Sequence, residues 1–228
     1  MVLRFLSSLF LLSLFVFSPA QAQNQSGAAQ ERVLVAGRDY VVLAKKIPSS
    51  VERLDVVYFF WYNSPTTAKM DPAIRRWASS QAPALVKFIP QPAILSQEWG
   101  LGARLFFALR DLNVEDKVGP RLVQALEENV VDYNNPKALY AWLKEEGVNP
   151  KQLMEALNSP STIAQTTWMA SSMQLYGVQQ VPTVIIDGQF VFTPKANETA
   201  SAFVDRLNYA SVVLAKRKIK SPAKTPSK

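Results

Sequence analysis

The residues of this chain best placed to do chemistry are Ser64, Pro65, Thr66 and Thr67, with Lys69 just behind them. Ser64 stands where the apolar run Tyr58-Phe59-Phe60-Trp61-Tyr62 gives way to a helix start: a capping hydroxyl, proline at the first helical position, then two threonines. A group held there meets free backbone N–H groups and the positive end of the helix dipole, which favour an anion or a thiolate. Ser64 thus has three possible uses. It can cap the helix, donate a hydrogen bond to a bound thiolate, or act as a nucleophile, with only a lysine such as Lys69 to serve as its base. Of these the cap asks least of the surroundings. The chain contains neither cysteine nor histidine. That excludes disulfide exchange by its own thiols, Ser-His-Asp triads, most zinc centres and histidine proton shuttles. No phosphate loop, metal-ligand cluster, paired-carboxylate constellation or base-stacking motif is present, so neither a metal site nor a nucleic-acid partner is expected.

The surrounding elements must bring this segment to a surface. The aromatic run reads as a buried, central strand, because apolar residues continue without alternation. The helix after Ser64 is expected to run from Pro65 through Ile74 and Trp77, with Pro72 kinking or ending its first portion. Leu85 to Ile89 is the next strand, closed by Pro90 and Pro92, and a βαβ unit of this length implies a parallel pair. Residues 93–158 show only helical spacing, in roughly four short helices. Residues 161–176 form another amphipathic helix, leading to Val181-Pro182 and then to two strands about the turn Asp187-Gly188, a strong hairpin signal. Asn197 to Ala215 is the closing helix, with Phe203, Leu207 and Leu214 on one face. Trp61 and Tyr62, next to Ser64, are candidate anchors for a ligand, although strand alternation favours burial of at least one.

At 228 residues and 48% hydrophobic content, the chain suits one globular domain carrying an insertion. Residues 1–22 have the form of a secretory signal. Arg4 supplies the charge, Phe5 to Phe17 the apolar core, and Ala20-Gln21-Ala22 the cleavage site, so an exported, periplasmic protein starting near Gln23 is expected. Residues 23–32 read as a flexible lead-in. The net charge of +7 belongs to the ends: setting aside Arg4 and six basic residues from Lys216 onward leaves residues 23–215 neutral. Residues 216–228 are expected to form a basic, disordered tail, able at most to touch an anionic membrane weakly.

The strand–turn–helix around Ser64 resembles the active-site segment of DsbA-type thiol oxidases, in which a Phe-Phe strand runs into Cys-Pro-x-Cys. Ser64 and Thr67 fall on the two cysteine positions. Ala36-Gly37-Arg38-Asp39-Tyr40-Val41-Val42-Leu43 is similar to the opening segment of the same family, and Gly177-Val178-Gln179-Gln180-Val181-Pro182-Thr183-Val184 to its proline loop. The resemblance spans residues 33–215. It implies an α/β thioredoxin fold divided as 33–92, a DsbA-like helical insertion at 93–160, and 161–215. It also implies that Pro182 is cis and lies beside the helix start, where backbone can bind extended peptide. One further departure is Tyr58, which stands six residues before the first cysteine position, where the family typically carries a buried acid that assists proton movement. Ser64-Pro65 is also similar to kappa-class glutathione transferases and 2-hydroxychromene-2-carboxylate isomerases, in which a serine holds the glutathione thiolate.

Together these features imply a cysteine-less pseudoenzyme that binds extended polypeptide or an envelope protein, through Trp61, Tyr62, Ser64 to Thr67, Val181 and Pro182, with no cofactor. Two alternatives remain open. One is a glutathione-dependent transferase or isomerase using Ser64; the other is a structural domain of an envelope assembly.

Overall fold

The computed structural model describes residues 33–220. The expected leader and lead-in, and residues 221–228, lie outside the described residues. Two segments of chain build a sheet of five strands, and the helices between them cover it. The strands are β1 (Val41–Val42), β2 (Leu54–Phe60), β3 (Val86–Pro92), β4 (Thr183–Ile186) and β5 (Phe190–Phe192), in the spatial order β1-β5-β4-β2-β3. The helices are α1 (Pro65–Ser80), α2 (Gly100–Asp111), α3 (Glu115–Glu127), α4 (Pro136–Glu145), α5 (Pro150–Leu157), α6 (Pro160–Tyr176) and α7 (Ala200–Lys220). A 3₁₀ turn, Gln97–Trp99, precedes α2.

β2 is an interior strand, one place from the middle of the sheet. It pairs in parallel with β3, Val56 opposite Phe88, and antiparallel with β4, Phe59 opposite Thr183. Its side chains alternate between two aromatic layers, as pleating requires. Tyr58 stacks on Phe60 and on Phe88, with centroids 5.4 and 5.7 Å apart, and Phe60 meets Phe106 of α2 edge-on at 5.7 Å. Phe59 points the other way, to Tyr176 of α6 at 4.9 Å. The strand is buried on both faces because α1 and α2 approach from one side and the end of α6 from the other.

Several boundaries differ from those read off the sequence. Pro72 neither ends nor splits α1, which runs through Ser80; Pro72 itself is exposed, so the ring meets solvent rather than a packed neighbour. Pro90 and Pro92 lie inside β3. That strand is at the edge of the sheet, where a missing N–H costs no ladder partner. The closing helix begins at Ala200 and continues to Lys220, with Ala215 buried and Lys218 paired to Asp187 at 2.6 Å. Residues 216–220 are therefore helical, and the expectation of a disordered tail from Lys216 is corrected for them.

Asp187 (φ 52°) and Gly188 (φ 66°) both adopt the left-handed conformation of a tight hairpin turn, closed by the Gln189 N–H to the Ile186 carbonyl at 3.2 Å. The turn packs so closely on Ile47 that a Cβ at Gly188 would lie 2.2 Å from the Ile47 carbonyl oxygen.

Candidate functional site

α1 starts as its sequence dictates. Ser64 has extended backbone angles (φ −105°, ψ 120°), Pro65 takes the first helical position, and Ser64 Oγ accepts the Thr67 N–H at 3.1 Å. The hydroxyl thus satisfies one of the donors that a helix start leaves free. Ser64 is 7% exposed and Thr67 is fully buried, while Pro65 and Thr66 face outward. The Val181–Pro182 peptide bond is cis. Pro182 is buried and Val181 half-buried, one and two residues before Thr183, where the β2–β4 ladder ends.

Between these two features lies a cleft of about 420 Å³. Thr66, Lys69 and Met70 of α1 form one wall, Gln180 and Val181 another, and residues 194–198 the third. No residue of the helical insertion lines it. The third wall is held from behind: the Arg206 guanidinium donates to both oxygens of Glu198 at 2.8 and 2.6 Å and to the Thr193 carbonyl at 2.8 Å. Arg206 also reaches the Asp39 carbonyl, and Lys195 Nζ pairs with the Asp39 carboxylate at 2.6 Å. Burial works to raise the Glu198 pKa, but the hydrogen bonds from Arg206 and from the Lys195 backbone outweigh it and hold the carboxyl below its ordinary range. Lys69, on the α1 wall, is exposed.

Trp61 and Tyr62 do not join this cleft. Trp61 stacks on Trp99 with centroids 4.3 Å apart and planes 6° from parallel, and meets Tyr133 edge-on. Tyr133 in turn accepts the Gly102 N–H at 2.9 Å and donates to the Glu98 carbonyl at 3.0 Å. Tyr62 is 2% exposed and donates to Glu115 of α3 at 3.2 Å. Both rings fasten the helical insertion to the sheet; Tyr62 is buried, and Trp61, half-buried, is committed to Trp99 and Tyr133. The expectation that they line the same site as Thr66 and Val181 is corrected by that packing.

Behind the helix start lies a charged cluster that sequence reasoning missed. Arg75 Nε donates to both oxygens of Asp71, at 2.9 and 3.0 Å, and Nη2 lies 3.4 Å from Glu115 Oε1. Tyr58 donates to Asp71 Oδ1 at 2.8 Å. Asp71 and Glu115 are 1% and 3% exposed. Burial, and then the neighbouring Asp71 carboxylate, push the Tyr58 hydroxyl far above its usual range; burial and Glu115 do the same to Tyr62. Burial raises Glu115, with Arg75 opposing. Tyr58 is thereby a fixed hydrogen-bond donor and cannot shuttle protons near neutrality. The spacing of Asp71 and Arg75, one helical turn apart, was a legible signal; Glu115, forty residues on, gave none.

A sheet of this order, a capped helix issuing from its aromatic strand, and a cis-proline loop facing that helix start define a thioredoxin-fold protein with a helical insertion, here without the reacting thiols. The comparison with known proteins agrees. A family model described as a DSBA-like thioredoxin domain matches residues 26–204, and the chain belongs to that family. The thiol:disulfide interchange protein DsbA of Pseudomonas aeruginosa is 28% identical over 166 residues, covering 72% of this chain and 78% of that protein. DsbA of Burkholderia cepacia is 27% identical over 161 residues, covering 70% and 76%. Among solved structures, P. aeruginosa DsbA superposes with a TM-score of 0.73 at 24% identity, over 81% of this chain and 96% of that one. The oxidoreductase DsbA of Xylella fastidiosa gives 0.72 at 22%, over 81% and 100%.

Proposed function

We propose that this chain is an exported, non-catalytic member of the DsbA-like family that holds extended polypeptide in the cleft between α1 and the cis-proline loop. The single observation that carries this reading is the cleft itself. It has walls at Thr66, Val181 and residues 194–198, with the insertion standing clear of it, while both positions matching the family's cysteines carry hydroxyls. Val181 stands two residues before Thr183, where the β2–β4 ladder ends, so its backbone groups lie outside that ladder and an extended segment laid beside it can pair with them as strand addition does. Lys69 and Thr66 offer one charged and one neutral donor to carbonyls or to an acidic side chain of that segment. The periplasmic location rests on the leader-like sequence of residues 1–22.

The test is a backbone-resolved NMR titration with a carboxymethylated polypeptide kept unfolded, run in parallel with reduced glutathione. Shifts at Thr66, Lys69, Gln180, Val181 and residues 194–198 with the polypeptide are the expected result. Shifts with glutathione alone, abolished by Ser64→Ala, transfer the assignment to the thiolate-holding enzyme. No shift with either ligand sinks the cleft as a binding site and leaves a structural role in an envelope assembly.

A further inference from the structure

Two basic segments far apart in the chain meet at the β4–β5 turn. α7 finishes in Lys216, Arg217, Lys218 and Lys220, while Lys45 and Lys46 lie in the loop after β1. Leu43 and Ile47 donate their N–H groups to the Gln189 and Gly188 carbonyls at 2.9 and 2.8 Å, which laces that loop over the turn. Lys46 Nζ and Lys218 Nζ then lie 2.6 Å from the two oxygens of one carboxylate, Asp187. The charge of Asp187 is thus met twice. Asp55, whose carbonyl accepts the Asp187 N–H at 2.9 Å, is half-buried and takes the Ser50 N–H on its carboxylate at 2.7 Å. Lys45, Lys216, Arg217 and Lys220 face water. Residues 23–215 are neutral as a whole, and without Lys45, Lys46 and Asp187 they carry one net negative charge, so the rest of that span has no positive excess of its own.

We propose that this end of the fold is a docking face for the surface of an anionic phospholipid bilayer. Basic residues suit the last turn of a helix, but that preference accounts for neither Lys45 and Lys46 nor the apolar side chains set among the cations. Ile219, between Lys218 and Lys220, is 68% exposed, and Val41 and Val42 stand exposed just before Lys45. Arg217 borders a crevice of about 150 Å³ walled by Leu34, Tyr40, Phe190 and Val213, so cation and apolar surface adjoin there as well. This mixture fits a lipid–water boundary, where phosphates meet the cations and acyl chains the apolar groups. A soluble polyanion would take up the charge and leave Ile219 in water.

The face lies at the far end of the fold from the cleft. β4 has the cis-proline loop just before Thr183 and the Asp187 turn just after Ile186. α7 leads the same way, from Ala200, shortly after the third wall of the cleft, to Lys220, 21 residues or about 30 Å. None of the basic or apolar residues of the face lines the cleft. A chain seated on lipid through this end therefore holds the cleft away from the bilayer and open to water. The docking does not depend on what the cleft binds.

Purified chain beginning at Gln23 is expected to co-sediment with vesicles of phosphatidylglycerol and phosphatidylcholine in equal parts, less so as salt rises, and not with phosphatidylcholine alone. Lys45→Ala should weaken binding about fivefold, and Lys216→Ala combined with Lys220→Ala about twenty-fivefold. Ile219→Ser should weaken it at least about threefold, with circular dichroism unchanged in every variant. A paramagnetic lipid headgroup should broaden the amide signals of Lys45 and Ile219 and spare those of Thr66 and Val181; the reverse pattern overturns the proposal. So does a failure to bind the anionic vesicles. Binding that vanishes on deletion of residues 221–228 but ignores Lys45→Ala overturns it as well, because the end of the chain then acts without the face. Binding indifferent to Ile219→Ser and competed away by polyphosphate makes the partner a soluble polyanion and removes the bilayer.

Discussion

Arg75 stands between two carboxylates that have almost no water of their own, Asp71 and Glu115, and its guanidinium lies 5.4 Å from the centre of the Phe60 ring. A buried ion pair adds little net stability, but removing one partner leaves the other uncompensated. Arg75→Ala is therefore expected to lower unfolding free energy by about 3–5 kcal/mol, read from urea titrations at neutral pH. A loss under about 1 kcal/mol would mean that the two acids are neutralised some other way. Ser64→Ala tests the cap, and should cost about 1 kcal/mol in the same assay. The cap could be read from four consecutive residues because every partner is local. The fate of Tyr62 could not, since it is decided by Glu115, fifty-three residues away and on a different helix. Trp61 was obscured in the same way by Trp99 and Tyr133.

At the scale of elements, the hairpin between β4 and β5 announced itself in Asp187-Gly188, and the structure adds why glycine is needed. A side chain at 188 would be strained by the positive φ and would also strike the Ile47 carbonyl. Gly188→Ala should destabilise the fold by at least about 2 kcal/mol, visible as a lowered melting temperature; an unchanged one would refute this packing. The end of α7 was misread for an instructive reason. Lys216, Arg217, Lys218 and Lys220 look like a solvated tail when only their charge is considered. Yet Lys218 reaches back to Asp187, which also takes Lys46 at 2.6 Å, so one hairpin turn gathers both ends of the described chain. Basic residues also suit the last turn of a helix, a signal that the charge count concealed. The prolines of α1 and β3 misled similarly, because what a proline breaks depends on whether its face is covered, which local sequence does not record.

Over the whole molecule, the fold class was legible, an α/β thioredoxin fold with a helical insertion, because the segments 36–43, 58–70 and 177–184 resemble one family in the same order. The charge pairs set a pH response. Burial raises the Asp187 pKa, but the hydrogen bonds from Lys218 and Lys46 outweigh it, so the carboxyl lies lower than usual. Glu198 is lowered against its burial by Arg206, and Asp39 lies well below its range, chiefly through Arg38. Each folded value lies below the unfolded one. Their stabilisation is complete above the ordinary carboxylate range, about 3.9 to 4.3, and is lost as pH falls from there through the folded values. Glu115 acts in the opposite sense. Its value is raised, so its contribution weakens as pH climbs from the unfolded value through the folded one. With three groups against one, urea midpoints should hold from neutrality to about pH 5 and fall steeply below pH 4. A midpoint that rises on acidification would contradict this balance.

The hydrogen bond from Tyr58 to Asp71 bears on the history of the chain as well as on its packing. Cysteines at positions 64 and 67 are a few nucleotide changes away, and the helix start that lowers a thiol pKa is intact. The acid that the family resemblance implies at the position of Tyr58 does not come back with them. It would sit beside Asp71 in a site that excludes water, and two carboxylates there cannot both ionise. An acid at position 58 would share Arg75 with Asp71 and Glu115, so it would stay protonated and donate to Asp71 as the Tyr58 hydroxyl does. The contact works as a ratchet: cysteines placed at positions 64 and 67 alone would stand above a core built around the neutral hydroxyl of Tyr58.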